Sequence, residues 1–115
     1  MVPEIDQQRF AEAHAAGALV VDVRNGVEYR AGHVPGARSA PLPNLPLKLA
    51  ELPKDQPVHV ICQSGGRSAQ AASLLRDLGY DAHSVSGGTA AWIEAGRPAA
   101  TGDEPGTPTA PEEMR

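Results

Sequence analysis

Short apolar runs alternate with stretches of helical spacing along most of this chain, and this alternation restricts the fold more than any other feature. Two of the runs, ALVVDV (18–23) and PVHVIC (57–62), are almost continuously apolar, which is typical of strands buried on both faces. Shorter runs at 37–42 and 81–85 are predicted to be further strands. The helical patterns lie at 5–17, 25–32, 45–52, 68–79 and 89–96. Strands separated by helices of this length predict an α/β fold, with a parallel sheet that is covered by helices on both faces.

The composition fits one globular domain followed by a tail. At 115 residues, of which 41% are apolar, the chain is long enough for one domain with a modest core. Aromatic residues make up only 3%, so that core is expected to be aliphatic. The last stretch, AATGDEPGTPTAPEEMR (99–115), holds four acids against one base and almost no large apolar side chain. We therefore predict a folded domain over residues 1–98 and a flexible, acidic tail rich in Pro, Thr and Gly over 99–115.

Several classes of site are disfavoured by the composition. A single cysteine rules out an intramolecular disulfide and a cysteine-based zinc cluster, and the four histidines are scattered without paired-ligand spacing, so no metal is expected. With a net charge of −4 and no basic stripe, the chain is not expected to bind nucleic acid. No apolar run approaches the ~18–20 residues that span a bilayer. The start, MVPEIDQQRF, lacks the basic residues and apolar run of a secretory signal, so the reducing cytosol is the expected compartment.

The one cysteine lies where several features that favour an anion meet. Cys62 ends a predicted strand, a loop of sequence QSGG (63–66) follows it, and Arg67 precedes a helical pattern that starts at Ser68. A helix N-terminus and an arginine each lower the pKa of a nearby thiol. The two glycines allow successive backbone N–H groups to turn toward an anion, and the hydroxyls of Ser64 and Ser68 are further donors. The pattern predicts a reactive cysteine; the simpler alternative is a buried residue at a strand end.

Polar residues also follow two other predicted strands. Arg24 comes directly after VVDV, and Ser86 and Gly87 follow HSV. Because ligands of open α/β sheets bind outside the carboxyl ends of the strands, we expect these residues and Cys62 to lie at one edge.

Three segments together resemble the rhodanese-type sulfurtransferases. CQSGGRS (62–68) is similar to the active-site loop of that family. LVVDVRNGVEYRAGHVPGARSAPL (19–42) resembles its Asp-Val-Arg, Glu-Tyr and Gly-His-x-Pro-Gly-Ala signature. VSGGTAAWIEAGRP (85–98) resembles its closing Gly-Gly, Trp and Gly-x-Pro stretch. The resemblance covers about residues 5–98, and three motifs in the family's order are far more specific than the loop alone.

The resemblance implies a rhodanese-like fold with a central five-stranded parallel sheet, and an enzyme that needs no cofactor. The cysteine of such enzymes takes a sulfane sulfur from a donor such as thiosulfate, holds it as a persulfide and passes it to cyanide, a thiol or a protein acceptor. By position, Cys62 is the nucleophile, and Arg67 stabilises the loop and the anionic donor. The residues implied in holding the sulfur and its donor are Gln63, Ser64, Gly65, Gly66, Arg67 and Ser68.

The length of the loop bears on two related activities. Cysteine-dependent phosphatases of the same fold have five residues between cysteine and arginine, whereas four separate Cys62 from Arg67. The shorter loop favours a single sulfur atom over a tetrahedral phosphate or arsenate. A phosphatase or arsenate reductase, and a regulatory module without catalysis, are the alternatives. Gln63 and Glu28 stand where some thiosulfate-cleaving relatives carry basic residues, so a persulfide donor is an alternative to thiosulfate.

The remaining polar residues are assigned supporting roles. Asp22 and Arg24 are expected to form a buried pair beside the pocket, and Gly87 with Gly88 to let the last loop pass close to the cysteine loop. Other side chains are expected to be structural: a hydrogen-bonded His33, a packed His59, a core anchor at Trp92, and surface groups at His14 and His83.

Overall fold

The two apolar runs that were predicted to be buried strands form the centre of a parallel sheet. The computed structural model describes residues 2–107. Its strands are β1 (Glu4–Ile5), β2 (Leu19–Asp22), β3 (Arg38–Ser39), β4 (Val58–Ile61) and β5 (Ala82–Val85). They pair in the order β1-β5-β4-β2-β3, and every pairing is parallel. The expected five-stranded parallel sheet is confirmed.

Helices connect the strands and cover the sheet. They are α1 (Gln7–Ala15), α2 (Gly26–Ala31), α3 (Gly66–Asp77) and α4 (Gly88–Glu94), with a 3₁₀ helix at Leu42–Glu51. Asp6 caps α1 by accepting a hydrogen bond from the Arg9 amide at 2.8 Å, and Asn25 caps α2 in the same way. Asp and Asn are among the residue types that are preferred at this position.

Three details of the secondary structure differ from the predictions. β1 was not predicted, because two residues are too few to show a periodicity, and Ile5 was assigned to the first helix. The 45–52 pattern forms part of a 3₁₀ helix, in which Pro46 cannot donate a backbone hydrogen bond. α3 begins at Gly66 rather than Ser68, so Arg67 belongs to its first turn.

Each face of the sheet has its own core. One face packs valines of the central strands against α3 and the 3₁₀ helix, and the other packs Phe10, Val20, Ile61 and Trp92 together. The buried residues of α3 include Ala71, Ala72 and Leu75, whereas Leu78 is 43% exposed. Leu78 follows the last residue of the helix, so it no longer lies on the buried side.

The histidines divide differently from the prediction. His14 is buried rather than exposed, and its Nε2 lies 2.7 Å from the Pro35 carbonyl oxygen. The reason is that α1 packs against α4, so the His14 ring meets Trp92 at 5.0 Å between centroids. His59 is buried as predicted, with its ring edge on Phe10. His83 is partly exposed and lies 2.8 Å from Asp81.

The chain continues against the domain beyond the predicted boundary at Pro98. His33 and Ala100 exchange two backbone hydrogen bonds of 2.8 and 2.9 Å, and the Gly36 amide donates to the Pro105 carbonyl at 2.7 Å. The Nε2 of buried His33 lies 3.0 Å from the Glu104 carbonyl oxygen. On the side of residues 100–105 these contacts are made by backbone groups, and the amino-acid composition of the segment gives no sign of them. Residues 108–115 of the predicted tail lie outside the described residues.

None of the helices within residues 2–107 combines the length and the apolar character needed to cross a membrane.

Candidate active site

Cys62 lies directly after the last residue of β4 and is almost completely buried, at 1% exposure. The pairing of Asp22 with Ile61 brings the end of β2 beside it, and β5 ends on its other side. The predicted meeting of three strand ends at one edge is confirmed.

Polar groups surround the cysteine sulfur. The Gly65 amide donates to Sγ at 3.1 Å, and the Cys62 thiol donates to Ser68 Oγ at 3.5 Å. Ser68 is fixed in turn by the Gly65 carbonyl, to which its hydroxyl donates at 3.1 Å, and by Ser84 Oγ at 2.8 Å. The sulfur therefore sits in a cradle made by the start of α3 and the end of β5.

The cradle favours the thiolate. Burial is the largest single influence on the Cys62 pKa and raises it. Hydrogen bonding with the Ser68 side chain and with the amides of Ser68, Gly65 and Ser64 acts the other way, and these contacts together hold the pKa of the thiol below its ordinary value. A sulfur that ionises easily in a buried cradle can act as a nucleophile.

The two loop glycines have different roles. Gly65 has a φ of +127°, a conformation that side chains rarely adopt, and it precedes the first residue of α3. Gly66 begins the helix and does not have a positive φ. The turn that aims the amides at Cys62 thus depends on Gly65.

Arg24 forms a buried ion pair with Asp22, as predicted. Its guanidinium donates to both carboxylate oxygens at 2.8–3.1 Å and to the Gly32 carbonyl at 2.8 Å. Its Nη1 also donates to the side chain of Gln63 at 3.1 Å, which ties the cysteine loop to β2. Gln63 therefore holds the loop through its side chain.

Arg67 has a partner that the sequence analysis did not identify. Its two terminal nitrogens donate to the two carboxylate oxygens of Glu28, at 2.7 and 2.8 Å. The hydrogen bonds from Arg67 lower the pKa of Glu28 to about 2, so the carboxylate stays charged in any neutral solution. The ion pair links α2 to α3.

The last loop touches the cysteine loop at Gly88 rather than at Gly87. A Cβ on Gly88 would lie 2.6 Å from the carbonyl oxygens of Cys62 and Gln63, whereas one on Gly87 would meet Ala91 of its own helix. The Thr89 amide donates to the Cys62 carbonyl at 2.8 Å, and the Ala90 amide to that of Gln63 at 3.0 Å. Of the two glycines that were predicted to let the last loop pass close to the cysteine loop, Gly88 makes the approach.

An open cleft of about 480 Å³ lies beside this network. Its lining residues are Arg24, Glu28, Ala31, Gly32, Gln63 and Ile93. No sequence pattern points to Ala31 and Ile93, because they line the cleft only after α2 and α4 have packed against the sheet edge.

Two side chains that were predicted to be structural lie outside that lining. His33 is fully buried, with Nδ1 2.8 Å from the Tyr29 carbonyl oxygen, and Trp92 packs against Phe10. Both predictions are confirmed. Over residues 2–107, no three His, Cys, Asp or Glu side chains come together in a way that could hold a metal ion.

Comparison with known proteins shows which proteins this chain is similar to. A family model described as "Rhodanese-like domain" matches residues 6–95. A "Sulfurtransferase" of Allochromatium vinosum is 37% identical over 101 residues, which cover 85% of this chain and 94% of that protein. A "Thiosulfate sulfurtransferase GlpE" of Pseudoalteromonas translucida is 36% identical over 78 residues, which cover 67% of this chain and 74% of that protein.

Solved structures agree with these sequence matches. The crystal structure of a rhodanese-related protein from Thermoplasma volcanium superposes with a TM-score of 0.81 at 32% identity, over 87% of this chain and 99% of that one. The solution structure of a rhodanese-like domain from an Anabaena protein superposes with a TM-score of 0.79 at 29% identity, over 96% of this chain and 87% of that one.

Proposed function

The chain belongs to the rhodanese-like family, and from this premise we propose that it is a sulfurtransferase in which Cys62 carries a sulfane sulfur as a persulfide. The single observation that carries the proposal is the cradle at Cys62 Sγ, with the Gly65 amide at 3.1 Å and a thiol pKa below its ordinary value. Relatives named sulfurtransferase support a rhodanese-family enzyme.

The reaction is a transfer in two steps without a net oxidant. The Cys62 thiolate attacks the outer sulfur of the donor, an S–S bond forms, and the donor's S–S bond breaks; with thiosulfate, sulfite leaves with the electron pair. A nucleophilic acceptor then attacks the terminal sulfur of the persulfide and regenerates the thiolate; cyanide leaves as thiocyanate. The acceptor is a small thiophile or a thiol of a partner protein.

The cradle would hold the persulfide through the same donors that favour the thiolate. An anionic terminal sulfur needs hydrogen bonds more than it needs a base, and backbone amides at a helix start supply them. No proton has to be removed once the thiol is ionised. Because the sulfur carrier is a free thiol, the proposed chemistry fits the reducing cytosol.

Intact-protein mass spectrometry tests the proposal. Incubation with thiosulfate, or with an organic persulfide, should add the mass of one sulfur atom, and cyanide should remove it. Cys62→Ser should show no adduct and no turnover, because a hydroxyl cannot form a persulfide. This variant is well matched, since Cys62 is the only cysteine in the chain.

Two outcomes contradict the proposal. Persistent turnover in Cys62→Ser would place the chemistry elsewhere. A Cys62-dependent hydrolysis of aryl phosphates as fast as sulfur transfer would indicate the phosphatase alternative. The four-residue spacing between Cys62 and Arg67 leads us to expect only background hydrolysis.

A further inference from the structure

We propose that Glu28 sets the charge selectivity of the donor site, so that the protein prefers monoanionic organic sulfane donors to the thiosulfate dianion. The inference rests on the proposed function and names the class of donor that the same site takes. It starts from the ion pair between Glu28 and Arg67, in which both terminal nitrogens of the arginine are used.

Glu28 is held in place independently of Arg67. The Asn25 amide donates to Glu28 Oε1 at 3.1 Å, while the Asn25 side chain accepts from the Glu28 amide at 2.8 Å. This reciprocal capping box fixes the carboxylate at the start of α2. The carboxylate is therefore a built part of the site wall, and the charge of Arg67 is matched before any donor arrives.

The second guanidinium at the site is matched as well. Arg24 is 3% exposed and lies against the carboxylate of Asp22 at 2.8 Å. The guanidinium groups of Arg24 and Arg67 are thus balanced by two carboxylates. The attraction left for an anionic donor comes from the loop amides and the start of α3, which act at the sulfur itself.

The cleft beside the pair suits an organic group. Ala31, Gly32 and Ile93 form part of its lining, and Ile93 is 48% exposed. Ile93 also lies close to Gly32, since a Cβ on that glycine would be 3.8 Å from Ile93 Cδ1. The carbon end of a thiosulfonate or a persulfide would contact this apolar surface, whereas the sulfonate oxygens of thiosulfate would face the carboxylate of Glu28.

Charge selectivity has a quantitative signature. The electrostatic free energy of a bound donor is proportional to its charge. A change in the electrostatic potential at the site therefore changes the binding free energy of a dianion twice as much as that of a monoanion. The factor by which the affinity changes is accordingly squared for the dianion. Removing the charge of Glu28 should raise kcat/KM about tenfold for thiosulfate and about threefold for a monoanion, where tenfold corresponds to about 1.4 kcal/mol. The ratio of kcat/KM for thiosulfate to kcat/KM for the monoanion should therefore rise about threefold.

The experiment compares thiosulfate with methanethiosulfonate, a monoanion that delivers its outer sulfur by the same S–S cleavage and releases methanesulfinate. Sulfur loading of Cys62 is followed by mass spectrometry in Glu28→Gln, which keeps the capping box because glutamine makes the same contacts. Glu51→Gln is the matched control, because it removes the same charge at a different place. Glu51 lines another cleft, together with Leu19 at the start of β2, whereas the cysteine lies beside the end of that strand. The gain should appear mainly in KM, since uniform binding is what changes.

The ratio of the two donors isolates the charge effect. A change in the nucleophilicity of Cys62 multiplies both rates equally and leaves the ratio unchanged. The double variant Glu28→Gln/Arg67→Gln removes both charges and should restore the wild-type ratio, which a merely structural role of Glu28 would not produce.

Each outcome decides the matter. A threefold rise in the ratio in Glu28→Gln, its absence in Glu51→Gln and its reversal in the double variant support the proposal. Loading of the wild type with an unchanged ratio in Glu28→Gln overturns the selectivity role and leaves the sulfurtransferase function standing. Failure of the wild type to load from either donor overturns the proposed function, and the selectivity role with it.

Discussion

Replacing Gly88 by alanine tests whether the last loop positions the cysteine loop. The new Cβ would lie 2.6 Å from the carbonyl oxygens of both Cys62 and Gln63, closer than such atoms can approach. The atoms that it meets belong to backbone, so no flexible side chain can move aside. Either α4 or the cysteine loop must shift by about 1 Å to reach ordinary contact.

The expected cost has two parts. Gly88 has a φ of +59°, and a residue with a Cβ loses roughly 1–2 kcal/mol in that left-handed conformation. Overpacking against the two carbonyls adds about 1–3 kcal/mol. The free energy of unfolding should therefore fall by about 2–5 kcal/mol. Displacement of the loop should lower kcat/KM for sulfur loading about ten- to a hundredfold, since a shift near 1 Å costs about a hundredfold.

The variant Gly96→Ala separates the cost of the left-handed backbone conformation from the cost of overpacking. Gly96 also has a positive φ, +78°, but a Cβ there meets nothing within 4 Å. This control should lose only the conformational cost, roughly 1–2 kcal/mol, and should load sulfur at the wild-type rate. Urea unfolding gives the stabilities, and mass spectrometry gives the loading rates. A Gly88→Ala protein that is no less stable than Gly96→Ala and equally active would refute the positioning role.

Three further predictions concern other parts of the molecule. Ending the chain after Pro98 removes the Glu104 carbonyl that His33 Nε2 contacts and the backbone hydrogen bonds made by Ala100 and Pro105. Tm should fall by about 5–15 °C relative to a chain that ends at residue 107. An equal Tm for the two chains would contradict the stabilising role of these contacts. Ser68→Ala should raise the pKa of Cys62 and slow its alkylation by iodoacetamide at pH 7; an unchanged rate would exclude the hydroxyl from activation. Burial lowers the pKa of His59 in the folded protein, so the unfolded chain takes up a proton first as the pH falls, and the free energy of unfolding should decrease below about pH 6.5. His59→Leu should reduce the difference in that free energy between pH 7 and pH 5, measured by urea unfolding. An unaltered difference would contradict the prediction.

Much of the fold follows from local patterns in the sequence. The strands at the centre of the sheet were predictable because four consecutive buried residues leave a continuous apolar run, as in β4. The caps at Asp6 and Asn25 were predictable because a cap and its amide are three residues apart. Cys62 stood out for the same reason, since its loop and the helix that follows are contiguous in the chain.

The tertiary structure decided the contacts between distant segments. Whether Arg67 faces a donor or a carboxylate depends on where α2 lies relative to α3, and Glu28 is 39 residues away along the chain. The burial of His14 depends likewise on the packing of α1 against Trp92, and the fit of Gly88 on the approach of two loops. Local sequence sets which elements form, because their hydrogen bonds and periodicity are local. The partner of each side chain is set only when those elements pack, because that is when groups far apart in the sequence come within contact distance.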